Sequence, residues 1–212
     1  NFKPINFVVP TGNFGNVFAG WLLTKMGVPI SEFRVATNQN DVLHRLFQSG
    51  EYSLDRVRPS LAPSMDIQVA SNFERLLYYF FEGNSSKVGE VMRNFREEGR
   101  YSFESFALKG FSSVSTGDKE IPELIKMVSE QYAYLVDPHT ACAFKDLDPE
   151  KKAVVLATAH PAKFPSVYKE AGMEVPLSPT LEKLKGIEPV SYEVSVNSQS
   201  IRSFIFEKTG NR

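Results

Sequence analysis

The sequence has one cysteine, Cys142, in 212 residues. No internal disulfide can form, and such a chain suits a reducing compartment, here expected to be the cytoplasm. Net charge is also lacking: 24 basic and 25 acidic residues, with signs interspersed, leave −1 at pH 7. A nucleic-acid surface or an anionic membrane surface calls for a basic patch, so neither partner is expected. The longest aromatic-aliphatic run, "LLYYFF" at 76–81, is far below the roughly 20 residues of a membrane-spanning helix. The three histidines, His44, His139 and His160, are scattered without metal-ligand spacing, so no metal is expected. No signal-peptide pattern opens the chain. It starts at Asn1 rather than Met and enters a strand-like run almost at once, which is the expectation for a fragment or a processed piece.

Two nucleotide fingerprints fail as well. "VVPTGNFGN" (8–16) has glycines after an apolar run, but no Lys-Ser or Lys-Thr follows them, and the spacing is not G-x-G-x-x-G. What is present is the order strand, glycine loop, helix. "INFVV" (5–9) reads as a buried strand, "NVFAGWLLTKMG" (16–27) as a helix stopped by Gly27, "FRVAT" (33–37) as a second strand, and "NDVLHRLFQSG" (40–50) as a helix capped by Asn40 or Asp41 and stopped by Gly50. This repeat predicts an α/β fold: an open, mainly parallel sheet with flanking helices.

The regularity then fades into a mostly helical insertion at about 51–135. Residues 51–65 read as a long loop, of the sort that more often serves function than mere connection. Ser71-x-x-Glu74 reads as a capping box, 85–98 as helical, 101–111 as extended, and 118–137 as a helix. "AVVLAT" (153–158) returns to the buried-strand pattern; 160–172 reads as a helix interrupted by Pro165; Ser178-Pro179 starts a short helix, and 198–208 a closing one. One domain spans 1–212, with no repeat and no linker.

A loop between strand and helix presents backbone N–H groups at the positive end of a helix dipole. Gly12 and Gly15 let the backbone approach an anion, and Thr11, Asn13 and Asn16 add side-chain donors. With no lysine in the loop, it suits a phosphate that anchors a cofactor without reacting. The same glycines also serve a plain tight connection, and the pattern leaves both readings open.

"VPTGNFGN", "VATNQNDVLHR", "PSMDIQVASNFERLLY", "DPHTACAF" and "LATAHPAKF" occur in this order between residues 9 and 164. Together they resemble the threonine synthases of the bacterial and fungal type, fold-type-II enzymes dependent on pyridoxal 5'-phosphate. The resemblance covers the C-terminal half of that family's chain. It implies that Gly12, Asn13, Phe14, Gly15 and Asn16 cradle the cofactor phosphate, and that Thr158 bonds the pyridine nitrogen. It implies O-phospho-L-homoserine as substrate and the N-terminal half of the same enzyme as partner. The Schiff-base lysine belongs to that half, in a Ser-Phe-Lys-Asp-like context that these residues lack, so no catalytic residue is expected here and the chain alone should be inactive. Lys145, in "FKD", lies downstream of the glycine loop and does not qualify.

Asn38, Asn40 and Asp41 follow a strand end and could line the same crevice, or could cap a helix. His139 and Thr140 read as a helix start. Lys163 could meet a substrate phosphate or be a solvated lysine. The rival functions are a pyridoxal-phosphate-dependent phospholyase or dehydratase on the same scaffold, and a non-catalytic anion- or nucleotide-binding module.

Overall fold

The computed structural model describes residues 3–210. They form two compact units, one up to Leu177 and one from Ser178. In the first unit, β1 (Ile5–Pro10), α1 (Gly15–Lys25), β2 (Ile30–Thr37), α2 (Val42–Ser49) and β3 (Glu51–Ser53) follow in order. A 3-10 turn at Pro63–Met65 precedes α3 (Phe73–Phe80), α4 (Ser85–Glu97), β4 (Arg100–Ser102) and β5 (Phe111–Ser115). After a second 3-10 turn at Asp118–Glu120 come α5 (Ile121–Tyr132), α6 (Pro138–Cys142) and β6 (Ala153–Val155); a third at Pro161–Lys163 leads into α7 (Pro165–Glu170). The second unit holds α8 (Pro179–Glu182) and α9 (Ser198–Thr209). Ser178 caps α8 through its hydroxyl, which accepts from Leu181 N–H.

The main sheet has four strands in the order β5-β2-β1-β6, all pairs parallel. β3 and β4 form a separate antiparallel pair. The open parallel sheet is therefore present as the sequence pattern predicts. The stretch expected as a helical insertion also contains β3, β4 and β5, and β5 belongs to the main sheet.

Alternation along the strands divides the core. Val9, Phe33 and Val35 face one side, where they pack with residues of α1, α2, α3 and α4, including Val17, Leu43, Phe73 and Phe95. Val8, Ala36 and Val114 face the other side and meet Ala143. A further cluster joins Met65, Ile121, Ile125, Cys142, Val167 and Tyr168. Tyr168 donates its hydroxyl to Val136 O at 2.8 Å, tying α7 to the segment before α6.

Three local expectations are corrected. The Ser71–Glu74 capping box does not form: α3 starts after Asn72, which makes no side-chain cap, and Ser71 Oγ instead points at Asn13 Oδ1, 3.4 Å away. Neither Asn40 nor Asp41 caps α2 with its side chain. The helix predicted to reach residue 137 stops at Tyr132, because Ala133 turns into the left-handed region at φ 50°. The chain then runs to Asp137, whose carboxylate accepts from the N–H groups of His139 and Thr140 and caps α6, so the predicted helix start at those two residues is present.

Candidate functional site at the strand ends

Parallel strands put all their C-terminal ends on one edge, so the loops after β1, β2, β5 and β6 share that edge. The chain runs from β1 outward through β2 to β5, while β6 lies on the other side of β1. The order therefore reverses between β1 and β6, the place where open α/β sheets form their ligand crevice. Gly12–Asn16 follows β1 and Thr158 follows β6, so the two ends of the expected cofactor site flank that point.

The loop after β1 keeps its amides free. Thr11 N–H is spent on Ala36 O at 2.7 Å and the Thr11 hydroxyl on Val9 O at 2.6 Å, so Thr11 is not the extra donor expected of it. Among the described residues no protein acceptor meets the N–H groups of Gly12, Asn13, Phe14, Gly15 or Asn16. Helix α1 has no side-chain cap and no acidic residue in its first turn. Its dipole and its orphan donors are thus open to an anion. Asn13, Gly15 and Asn16 are exposed.

The positive backbone angle falls on Phe14, at φ 64°, rather than on a glycine. That conformation costs a residue with a Cβ about 1–2 kcal/mol. The Phe14 ring is anchored in the core, 1% exposed and edge-on to Phe73 at 5.3 Å. Phe14 therefore contributes backbone to the loop, while its side chain locks the loop to the core. The glycines matter for close approach. A Cβ on Gly12 would stand 3.1 Å from Ser64 O and 3.3 Å from Met65 Cα, and one on Gly15 would stand 3.3 Å from Asn72 Nδ2. Asn72 N–H also holds the Asn13 carbonyl at 3.1 Å.

Thr158 is exposed, and its hydroxyl makes no hydrogen bond among the described residues. Its backbone N–H donates to Thr140 Oγ1 at 3.2 Å. Strand β6 is shorter than predicted, ending at Val155, though Leu156 N–H still reaches Val8 O at 3.0 Å. A cavity of about 470 Å³ along β6 reaches Thr140 and Ala157, next to Thr158, and is lined by none of Gly12–Asn16.

The candidate substrate residues divide differently. Asn38 is fully buried and already spent: its amide donates to Ser60 Oγ at 2.8 Å and Asp66 Oδ1 at 2.7 Å, and its oxygen accepts from Asn40 N–H at 2.9 Å. Asn40 likewise bridges Arg58 and Asp66. Asp66 is thus the hub that pins the 54–67 loop against the end of β2, and the Asn38 amide hydrogens are already engaged. Asp41 is paired with Arg45 at 2.9 Å, and Arg45 goes on to Ser53 at 2.7 Å and Gln68 at 3.1 Å. Lys163 is exposed, with no ion pair among the described residues. Lys145 is bound to Glu120 Oε2 at 2.9 Å.

Sequence reasoning missed a buried polar cluster behind this edge. His139 Nδ1 lies 2.8 Å from Asp137 Oδ1, and His139 Nε2 accepts Ser64 N–H at 3.1 Å. The Thr140 hydroxyl donates to Asp137 Oδ2. Burial pushes the Asp137 carboxyl up, and the hydrogen bonds from His139 and Thr140 more than offset this, leaving it below its ordinary value. The signal was the run of hydrogen-bonding side chains in Asp137-Pro138-His139-Thr140, more than a helix start needs.

Fold and edge together define an open parallel α/β protein with an anion-receptive helix N-terminus at its strand switch point. Comparisons with known proteins narrow this. The family model described as "Threonine synthase, C-terminal" matches residues 137–205. Threonine synthase from Pseudomonas aeruginosa is 42% identical over 180 residues, covering 81% of this chain and 38% of the relative. The structure of PLP-bound threonine synthase from Brucella melitensis superposes with a TM-score of 0.81 at 34% identity, covering 99% of this chain and 47% of that one. The yeast threonine synthase structure gives 0.79 at 32%, covering 99% and 48%. The chain belongs to the threonine synthase family. It spans less than half the length of these relatives.

Proposed function

We propose that the protein carrying this chain converts O-phospho-L-homoserine and water to L-threonine and phosphate, using pyridoxal 5'-phosphate. The observation that carries this reading is the set of unpaired N–H groups at Gly12–Asn16, across the β1/β6 switch point from a free threonine hydroxyl, in a threonine synthase relative. The residues fit the cofactor. Five amides at an uncapped helix start suit a phosphate held without lysine, and a Cβ at Gly12 would crowd the cradle against Ser64. Thr158 offers a neutral hydroxyl to a ring nitrogen, which leaves that nitrogen less protonated than a carboxylate partner would. When bound, pyridoxal phosphate supplies the electron sink, while the protein orients and shields the reacting carbons.

Lys163, free of ion pairs beside Thr158 in sequence, is offered to the substrate phosphate. The lysine that bonds the cofactor covalently is assigned to the remainder of the enzyme, which is also the partner that closes the open edge. A cytoplasmic setting fits Cys142, which is buried and unpaired.

The test is a product assay on the full-length protein. Threonine and inorganic phosphate should form in equal amounts from O-phosphohomoserine, and not from phosphothreonine, serine or threonine. Release of ammonia from serine or threonine would replace this reading with a dehydratase, and phosphate release from phosphothreonine with a phospholyase. Displacement of pyridoxal phosphate by ATP or NAD would favour a nucleotide-binding module.

A further inference from the structure

One short helix start reaches toward both ends of the proposed cofactor site. Asp137, His139 and Thr140 are each at most 2% exposed. The Asp137 carboxylate caps α6 through the N–H groups of His139 and Thr140, and that alone would stabilise the helix. The side chains of the other two residues go further. His139 gives its Nδ1 proton to Asp137, which leaves Nε2 as the acceptor for Ser64 N–H at 3.1 Å. Ser64 lies in the 3-10 turn whose backbone is the wall against Gly12, 3.1 Å from where a Cβ there would stand. Thr140 gives its hydroxyl proton to Asp137 Oδ2 and accepts Thr158 N–H at 3.2 Å. One lone pair of the hydroxyl is thereby used on the residue assigned to the cofactor ring.

We propose that His139 and Thr140 are positioning residues, locked by the shared Asp137 carboxylate: His139 sets the phosphate loop through Ser64, and Thr140 sets the ring contact through Thr158. A helix cap needs neither the bond to Ser64 nor the bond to Thr158. Both join α6 to segments distant in sequence, 75 and 18 residues away. Each fixes backbone rather than a mobile side chain, so a shift at the Thr158 anchor moves the ring contact itself, and one at the Ser64 anchor moves the wall behind Gly12. The proposal rests on the cofactor reading given above.

The experiment uses the full-length protein, freed of cofactor and titrated with pyridoxal phosphate and, separately, with pyridoxal, which lacks the phosphate. The variants are His139→Leu and Thr140→Val, with His139→Gln and Thr140→Ser restoring an acceptor at each place. Amide hydrogen exchange at Ser64 and Thr158 is followed in each. His139→Leu should weaken pyridoxal phosphate about tenfold and leave pyridoxal unchanged, with faster exchange at Ser64. Thr140→Val should weaken both ligands by the same factor, about tenfold, with faster exchange at Thr158. Gln and Ser should recover most of each loss. If the wild-type protein binds no pyridoxal phosphate, the cofactor reading fails and the proposal with it. If it binds, but His139→Leu weakens both ligands alike, or Thr140→Val weakens pyridoxal phosphate alone, or either variant weakens neither, or exchange at Ser64 and Thr158 stays unchanged, the positioning roles alone are overturned. A variant that melts early is judged through its Gln or Ser counterpart, whose failure to recover the loss expected for that position also overturns the proposal.

Discussion

Asp137 carries more hydrogen bonds than a cap requires, and they hold its carboxyl in the ionised form. Its carboxyl sits below the ordinary value although burial pushes it up, because His139 and Thr140 donate to it. A carboxylate with a depressed folded-state pKa contributes stability that is fully present above its unfolded pKa of about 3.9 and is lost as pH falls through the folded value. Two of the titratable groups that feel this charge, Cys142 and Tyr168, stay neutral there: burial, with Asp137 behind it, pushes the Cys142 thiol up to about 12, and burial and then Asp137 push Tyr168 up. Asp137→Ala leaves the Thr140 hydroxyl and the His139 Nδ1 proton without an acceptor and uncaps α6. It should cost about 2–4 kcal/mol at pH 7. Urea unfolding from pH 7 down to pH 3 should show that difference steady above about pH 4 and shrinking below it. A difference independent of pH would mean that the ionised form is not what the cluster holds. At this scale the sequence was partly legible. Thr158 and the amides of Gly12–Asn16 stand free at the predicted edge because strand order and glycine spacing are local signals. What was not legible is that Asp66, 28 residues on, engages the Asn38 amide. The reach of His139 to Ser64 spans 75 residues, and no local pattern announces it.

At the scale of elements, two glycines test two different interfaces. Gly20 lies mid-helix in α1, where a Cβ would stand 2.7 Å from Phe33 Cε1. Phe33 is 3% exposed and packed in the main core, so its ring has little room to yield. Alanine gains about 0.8–1.0 kcal/mol of helix propensity over glycine, but overpacking costs about 1–3 kcal/mol. The packing term wins, and Gly20→Ala should lower unfolding free energy by up to about 2 kcal/mol while leaving pyridoxal phosphate binding to the full-length protein intact. Gly12→Ala should act on the site as well. Its Cβ would press on backbone of the 63–65 turn, 3.1 Å from Ser64 O, which cannot yield as a side-chain tip can, so about 1–3 kcal/mol of stability is lost and affinity for pyridoxal phosphate falls by about tenfold or more. Parallel chemical melts and cofactor titrations check both, and an unchanged affinity for Gly12→Ala would sink the cradle. The elements themselves were legible where apolar runs are bounded by glycine, as in β1, α1, β2 and α2. They were less so where tertiary bonds override local signals. Ser71 forgoes its capping box as Asn72 and Asn13 bring α3 to the glycine loop. β6 ends early, and the chain beyond it bonds to Thr140.

For the whole molecule, the proposed phosphate cradle and ring contact lie on an open edge, and no lysine of residues 1–212 stands in a Ser-Phe-Lys-Asp-like context. The sheet order places both contacts at the switch point, but Asn13, Gly15, Asn16 and Thr158 are exposed. A cofactor held there by two noncovalent contacts, with one ring face wet, should bind the isolated chain weakly. The two lysines nearest the motifs differ in what occupies them. Lys145 is engaged by Glu120 at 2.9 Å, while its carbonyl receives Arg34 at 3.0 Å. Lys163 is exposed at the end of a 3-10 turn, with no ion pair among the described residues. Incubating the 212-residue chain with pyridoxal phosphate, reducing with borohydride and mapping the peptides should therefore give scattered, substoichiometric labels. Colour on mixing decides nothing, because exposed lysines form reversible adducts. The same treatment of the full-length protein should label one lysine stoichiometrically, outside residues 1–212. Stoichiometric labelling of Lys145 or Lys163 in the isolated chain would place the covalent partner within these residues, and the division of the active site between this chain and the rest of the enzyme would have to be abandoned.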